Sequence, residues 1–268
     1  MKASTSYSLL FSLTLFTWIF VSCTKTINVN LNDADPQLII EGKVLDGPGP
    51  YFVKLSKSVN FNESNNFPPV SGAIISITDQ TAQESDELTE TVPGTYTTDS
   101  LIGVPGHIYQ LSVYVEGKNY LSTSQMPQRV ALDSVTFQQL NIFGDESIFA
   151  VSNFKDPVNV KNYYTFVEYI NGKQYTKATF VFDDRLSDGR QIAQELFTDS
   201  AYIQRGDTVA LQMNGVDKGV YQYFNTLLMA GDPQAGTPAN PVSNITGDKK
   251  ALGYFSAQTT QQLEAVVR

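Results

Sequence analysis

From Pro36 onward, short runs rich in Val, Ile, Thr, Tyr and Phe recur, broken by Gly, Pro, Asn and Asp. Within the runs, apolar and other side chains alternate. Successive side chains on a strand point to opposite faces, so this period predicts strands with one buried face. Leu38 to Leu45 is the first. Tyr51, Val53 and Leu55 share a face in Tyr51 to Ser56, and Ala73, Ile75 and Ile77 share one in Ala73 to Thr78. Leu88 to Val92 and Thr95 to Thr98 flank the turn pair Pro93-Gly94. Tyr109, Leu111, Val113 and Val115 alternate unbroken. They lead through a four-residue connection, Glu116-Gly117-Lys118-Asn119, into Tyr120 to Ser124. That makes about seven strands, enough for one sandwich.

Met126-Pro127 interrupts the pattern, which places a domain boundary between 126 and 133. Ser134 to Phe137, Phe149 to Phe154, Ile192 to Phe197 and Thr208 to Met213 read as further strands. Tyr163 to Ile170 and Lys173 to Phe182 enclose Asn171-Gly172, a pair that tolerates positive φ and suits a type I′ hairpin. One segment changes period. Val220, Tyr221, Phe224, Leu227 and Leu228 fall at helical spacing, with Asp217 as cap, Gly231 as stop and Pro233 beyond. The spacing predicts one amphipathic helix over about 218 to 230, laid on a sheet. A loop over 231–247 then leads to a last strand around Gly253-Tyr254-Phe255. The expected architecture is all-β. It has two β-sandwich domains of immunoglobulin or transthyretin-like type, at 36–126 and 133–268, the second carrying the helix.

The start of the chain changes the picture. Met1 and Lys2 precede an apolar stretch from Leu9 to Val21, too short for a comfortable membrane span and apt for a secretory signal peptide. It ends in Phe20-Val21-Ser22-Cys23, which resembles a bacterial lipobox. The expectation is therefore a signal peptide over 1–22, a lipid on the Cys23 thiol, and a polar tether over 23–35. Two or more acyl chains, palmitate among them, anchor stably. Cys23 is the only cysteine, so no disulfide follows.

A net charge of −9 and a pI near 4.6 argue against nucleic acid as a partner, since nucleic acid calls for a basic face.

Leu38-Ile39-Ile40-Glu41-Gly42, Tyr51-Phe52-Val53-Lys54-Leu55, Ser71-Gly72-Ala73, Pro93-Gly94-Thr95-Tyr96 and Gly106 to Tyr109 follow one another in an order similar to that of a family of Bacteroidetes lipoproteins. Asp133-Ser134, Ser243-Asn244-Ile245 and Leu252-Gly253-Tyr254-Phe255 extend the likeness. The family is known as domain of unknown function 4249. The resemblance implies an outer-membrane lipoprotein, often encoded beside a TonB-dependent receptor, and no catalytic residues.

Chemistry read from the residues is sparse. His107 is the one histidine and falls in a turn before a strand, where a solvated role is expected. One histidine and a lipidated cysteine cannot supply the usual zinc ligands. Asp184, Asp188 and Glu195 stand at positions one, five and twelve of a calcium-loop spacing, with Gly189 at six. Leu186 at position three offers no oxygen, so a polar hairpin tip is expected instead. Asp183 and Asp184 are neighbours and point to opposite faces of a strand. Tyr163-Tyr164, and Tyr221 with Tyr223, are candidates for a ligand-lining surface. Asp-Ser/Thr-apolar triplets begin at Asp99, Asp133, Asp199 and Asp207 and resemble the O-glycosylation motif of exported Bacteroidetes proteins.

The functional expectation is a non-enzymatic binding or accessory lipoprotein without cofactor or metal. It is anchored in the outer membrane and partnered by a TonB-dependent receptor. The alternatives are an adhesive or structural surface protein, and a hydrolase using Asp183 and Asp184. Thr24 to Asn30 holds no acid, which departs from the acidic signal of surface-exported lipoproteins and favours the periplasmic face.

Overall fold

The computed structural model describes residues 35–60, 64, 66–142, 145–175, 180–197, 203–230 and 240–268. The strands of the N-terminal half are β1 (Leu38–Leu45), β2 (Gly47–Pro48), β3 (Phe52–Lys57), β4 (Ile74–Asp79), β5 (Glu84–Glu87), β6 (Thr89–Val92), β7 (Thr95–Thr97), β8 (Ile102–Gly103), β9 (Ile108–Val115) and β10 (Lys118–Gln125). The C-terminal half adds β11 (Leu132–Ile142), β12 (Asp145–Lys155), β13 (Tyr163–Ile170), β14 (Lys173–Gln174), β15 (Phe180–Asp183), β16 (Gln191–Leu196) and β17 (Thr208–Val216). The helix α1 (Lys218–Ala230), β18 (Ile245–Gly247) and β19 (Leu252–Val266) complete it. The chain is all-β with one helix, as the alternation predicts. The signal peptide, Cys23 and the tether up to residue 34 lie outside the described residues, as do Gly231, Pro233 and the triplet at Asp199.

A nine-stranded sheet runs β14-β13-β17-β19-β1-β3-β7-β6, with β15 also on β13. Two smaller sheets stack on the same face of it. The five-stranded sheet β18-β10-β9-β4-β5 closes a first core around Ile40, Val53, Ile75, Leu111 and Phe255. The three-stranded sheet β11-β12-β16 closes a second around Phe154, Tyr164, Phe166, Leu211 and Leu196. The alternating residues sit where their period puts them: Tyr51, Val53, Leu55, Ile75, Ile77, Tyr109, Leu111, Val113 and Val115 are all buried.

The two cores share a strand. β1 pairs with β19 in parallel, Ile40 beside Gly253, while β17 pairs with the later part of β19, Gln212 beside Gln262. Phe255 and Ala257, placed by the sequence pattern with the second domain, pack in the first core. The segment between 126 and 132 is tied down rather than free. Gln261 accepts the Leu132 N–H at 3.0 Å and donates to the Val130 carbonyl, and Arg129 pairs with Asp46. Pro36–Arg268 forms one compact unit.

Two turns resolve differently from each other. Asn171 and Gly172 both adopt positive φ, 50° and 76°, as the type I′ turn requires. The first-half hairpin is tighter than expected. Lys118 already pairs with Val115, leaving a two-residue Glu116-Gly117 turn with φ of 51° and 71°. Glu116 takes one positive-φ position beside a glycine that takes the other, so Lys118 and Asn119 join β10 instead of the four-residue connection. The last strand is also longer than expected, since its second half pairs through backbone and polar side chains rather than apolar alternation.

α1 crosses the outer face of the nine-stranded sheet. Asp217 Oδ1 accepts the Val220 N–H at 2.9 Å, the cap that the sequence predicts. Val220 is the buried anchor, set with Val216 and Tyr254. Among the described residues no helix is long and apolar enough to cross a membrane.

Candidate functional site

α1 and the loops beneath it enclose a cleft of about 700 Å³. Its size suits a small-molecule or peptide site. Tyr163 opens β13 on the outer face, and Tyr221 comes from the first turn of α1. Their rings lie 5.1 Å apart and line the cleft. Lys161, Lys218 and Arg185 bring positive charge; Asp183, Asp184 and Asp188 bring negative. The surface can recognise a polar or zwitterionic group beside an aromatic or sugar face.

The neighbours Asp183 and Asp184 diverge, as strand geometry demands. Asp183 turns to the cleft, where Tyr221 donates its hydroxyl at 2.7 Å and the Arg185 Nε donates to both oxygens at 2.8 and 3.0 Å. Burial alone would raise its carboxyl, but these bonds outweigh burial and hold it below the usual carboxylate range. Tyr221 is pushed up to about 12 by burial first and then by Asp183, so it stays a donor.

Asp184 turns inward. Its Oδ2 accepts the Asn162 N–H at 2.7 Å, and its own N–H reaches the Asn162 carbonyl at 3.4 Å. Asp156 and Asp188 join it: one oxygen from each of the three carboxylates lies within 4.8 Å of the others. Asp156 is buried. It accepts the Tyr164 hydroxyl at 2.8 Å and the Gly189 N–H at 3.2 Å. Asp188 is exposed and accepts the Asn159 N–H at 2.8 Å. Burial first, then the charges of Asp156 and Asp188, push the Asp184 carboxyl up.

Glu195 stands apart on β16, opposite Val151, so the twelve-residue spacing does not close into a calcium loop. The third carboxylate comes instead from Asp156, at the end of β12, which the sequence pattern does not single out. Its one local signal is the turn pair Asp156-Pro157.

The tyrosine pairs divide. Tyr163 and Tyr221 line the cleft, whereas Tyr164 is core and Tyr223 packs against Tyr254 with ring centroids 4.8 Å apart. His107 is not a free turn residue. Its Nδ1 lies 2.7 Å from Asp79 Oδ2. Burial raises the Asp79 carboxyl, but the His107 bond and the N–H groups of Thr81 and Ala82 hold it lower overall. This pair braces the end of the first sandwich, away from the cleft. The triplet at Asp99 wraps a buried carboxylate: Asp99, Ser100 and Leu101 all donate N–H groups to Asp86.

No curated protein matches the chain. A family model described as a domain of unknown function (DUF4249) matches residues 24–264, which takes in both cores, the cleft and the three-carboxylate cluster. The chain belongs to the DUF4249 family of domains of unknown function.

Proposed function

We propose that the chain is a lipid-anchored, non-enzymatic binding protein of the outer membrane, with the cleft beneath α1 as its recognition surface and a TonB-dependent transporter as its partner. The observation that carries the binding reading is the cleft's make-up: two tyrosines in ring contact flanked by three cations and three acids. Hydrolysis by paired carboxylates needs one acid kept protonated across a gap from the other. Asp183 is held ionised by Arg185 and Tyr221, and Asp184 faces away from it into the fold, which favours binding over that chemistry. The transporter partnership rests on the resemblance to Bacteroidetes lipoproteins. Affinity purification of the tagged chain from detergent-solubilised membranes tests it. A transporter is expected at near-equal amount, and Tyr221→Ala with Lys218→Glu is expected to reduce the yield several-fold. Absence of any transporter from the eluate overturns the partnership.

The anchor is proposed at Cys23, on the periplasmic face. Replacing Cys23 with Ser is expected to move nearly all of the protein from the membrane fraction to the soluble fraction without changing its melting temperature. Protease added to intact cells is expected to spare the wild-type chain. A Cys23→Ser protein that still sediments with membranes in high salt would place the anchor elsewhere.

A further inference from the structure

We propose that Asp156, Asp184 and Asp188, together with the side-chain oxygen of Asn162, form a calcium site at the inner end of the cleft. The site needs no partner or ligand in the cleft and stands apart from the reading above.

Two independent observations meet there. The first is the gathering of the acids. Calcium binds oxygen at about 2.3–2.6 Å, so ligands on opposite sides of one ion lie about 5 Å apart. The three carboxylate oxygens fall within 4.8 Å of one another, the span a single calcium ion bridges. Asp156 and Asp184 are 1% and 4% exposed. None of the ion pairs among the described residues involves any of the three.

The second observation is an oxygen with nothing to do. Asn162 is 6% exposed, and its Oδ1 is buried without a hydrogen-bond partner. A buried polar atom left unpaired costs about 1–3 kcal/mol, so such atoms call for an explanation. Its direction follows from register. β13 and β15 pair Tyr163 with Asp183, so Asn162 stands opposite Asp184 in the next rung. Opposed residues in an antiparallel pair share a face, with Cβ atoms about 5 Å apart. Tyr164, two residues on and on that same face, donates to Asp156. The buried, unpartnered Asn162 carboxamide oxygen is therefore directed to the face that carries the two buried carboxylates. Ser187 adds a second buried, unpartnered oxygen, on the residue whose N–H bonds the Asp184 carbonyl.

The donor set is all oxygen, which selects a hard cation. Three carboxylates and an amide on two loops make an irregular, adaptable cage. Magnesium demands a near-octahedral shell and gives up its water reluctantly, so calcium fits better. The sequence signal was half visible: Asp184, Asp188 and Gly189 match a calcium loop, while the remaining ligands come from the loop after β12.

Calorimetric titration of the full-length chain, purified in detergent and stripped with EDTA, tests the site. One equivalent of calcium is expected to bind at about 10⁻⁴ to 10⁻³ M, the range of extracellular modules. Calcium at a hundredfold excess over that constant is expected to raise the melting temperature by about 5 °C, and magnesium by much less. Asp188→Asn, exposed and harmless to packing, is expected to weaken binding at least tenfold. Asp184→Asn is expected to abolish it and to raise the metal-free melting temperature by relieving repulsion. Asp183→Asn, the neighbour that faces the cleft, is expected to bind like the wild type. The proposal is overturned by an absence of saturable heat up to 10 mM calcium, the ceiling of about ten times that range. It is equally overturned if Asp188→Asn binds unchanged, or if Asp183→Asn loses as much as Asp188→Asn.

Discussion

Gly253→Ala is expected to remove a large share of the protein's stability, more than about 4 kcal/mol. Gly253 takes φ of +90°, and a Cβ there would lie 2.0 Å from the Ile40 carbonyl oxygen and 2.8 Å from its carbon. The obstacle is the backbone of β1, which cannot swing aside as a side chain could. Relief requires β1 and β19 to separate at their parallel contact, the seam that joins the two halves of the nine-stranded sheet. Backbone strain alone costs about 1–3 kcal/mol, and the lost pairing and burial of Ile40 and Phe255 take the total above about 4 kcal/mol. Domains hold about 5–15 kcal/mol in all. Gly172→Ala is the control. Its φ is +76°, but nothing lies within 4 Å of the added carbon, so about 1 kcal/mol is expected. Thermal melts of both variants check the difference. Equal melting temperatures would mean that β19 tolerates a side chain at the seam.

That contrast also marks what could be read from the residues. Gly172 was legible, because Asn-Gly between two alternating runs is a local signal. So were β1, β13 and α1, whose bounds follow from period and cap. Gly253 was visible as part of a run but not as a seam, since nothing near it in sequence names Ile40 as its neighbour. The later part of β19, Thr259-Thr260-Gln261-Gln262, carries no apolar alternation. It is a strand because β17 offers it a backbone, and because Asn214 accepts the Thr260 hydroxyl at 3.0 Å. The site was half legible for the same reason. Asp184 and Asp188 share one loop and show their spacing. Asp156 reaches them only because the sheet holding β12 packs over β13, Phe154 against Tyr164, and Glu195 is carried off by its pairing with Val151.

Glu168 is expected to make the protein less stable as the medium turns from acid to mildly alkaline. It is 0% exposed, on the core face of β13 beside Phe166 and opposite Leu211, and neither carboxylate oxygen has a hydrogen-bond partner. Burial pushes its carboxyl up to about 7, from an ordinary value of 4.5. In the unfolded chain the proton leaves near 4.5; in the folded protein it stays until about 7. The folded state thus holds more protons across that window, and stability falls as pH rises through it. The contribution is fully present below the unfolded value and lost above the folded one. Between pH 5, just inside the lower end of that window, and pH 8, beyond its upper end, the loss attributable to this group is about 2 to 3 kcal/mol. Glu168→Met removes the carboxyl at similar length. Urea unfolding is expected to find the variant more stable than the wild type at pH 8 by about 2 to 3 kcal/mol beyond any gain at pH 5. Parallel stability profiles for the two proteins would show that the carboxyl does not titrate in the fold.

The shared strand β19 has a consequence for how the molecule is made. β1 is the first of the described strands in chain order, and its parallel partner β19 is the last of them. Translation therefore delivers Ile40, Val44 and Val53 long before Phe255 and Ala257 exist to cover them. The first sandwich cannot close until β19 has been delivered. Such remote pairing raises contact order and slows folding, since loop closure must come before the contacts that reward it. Until β19 arrives, the open flank of β1 presents unpaired N–H and carbonyl groups beside exposed apolar side chains, a surface that a holding chaperone grips and that another copy of the chain can mistake for its own.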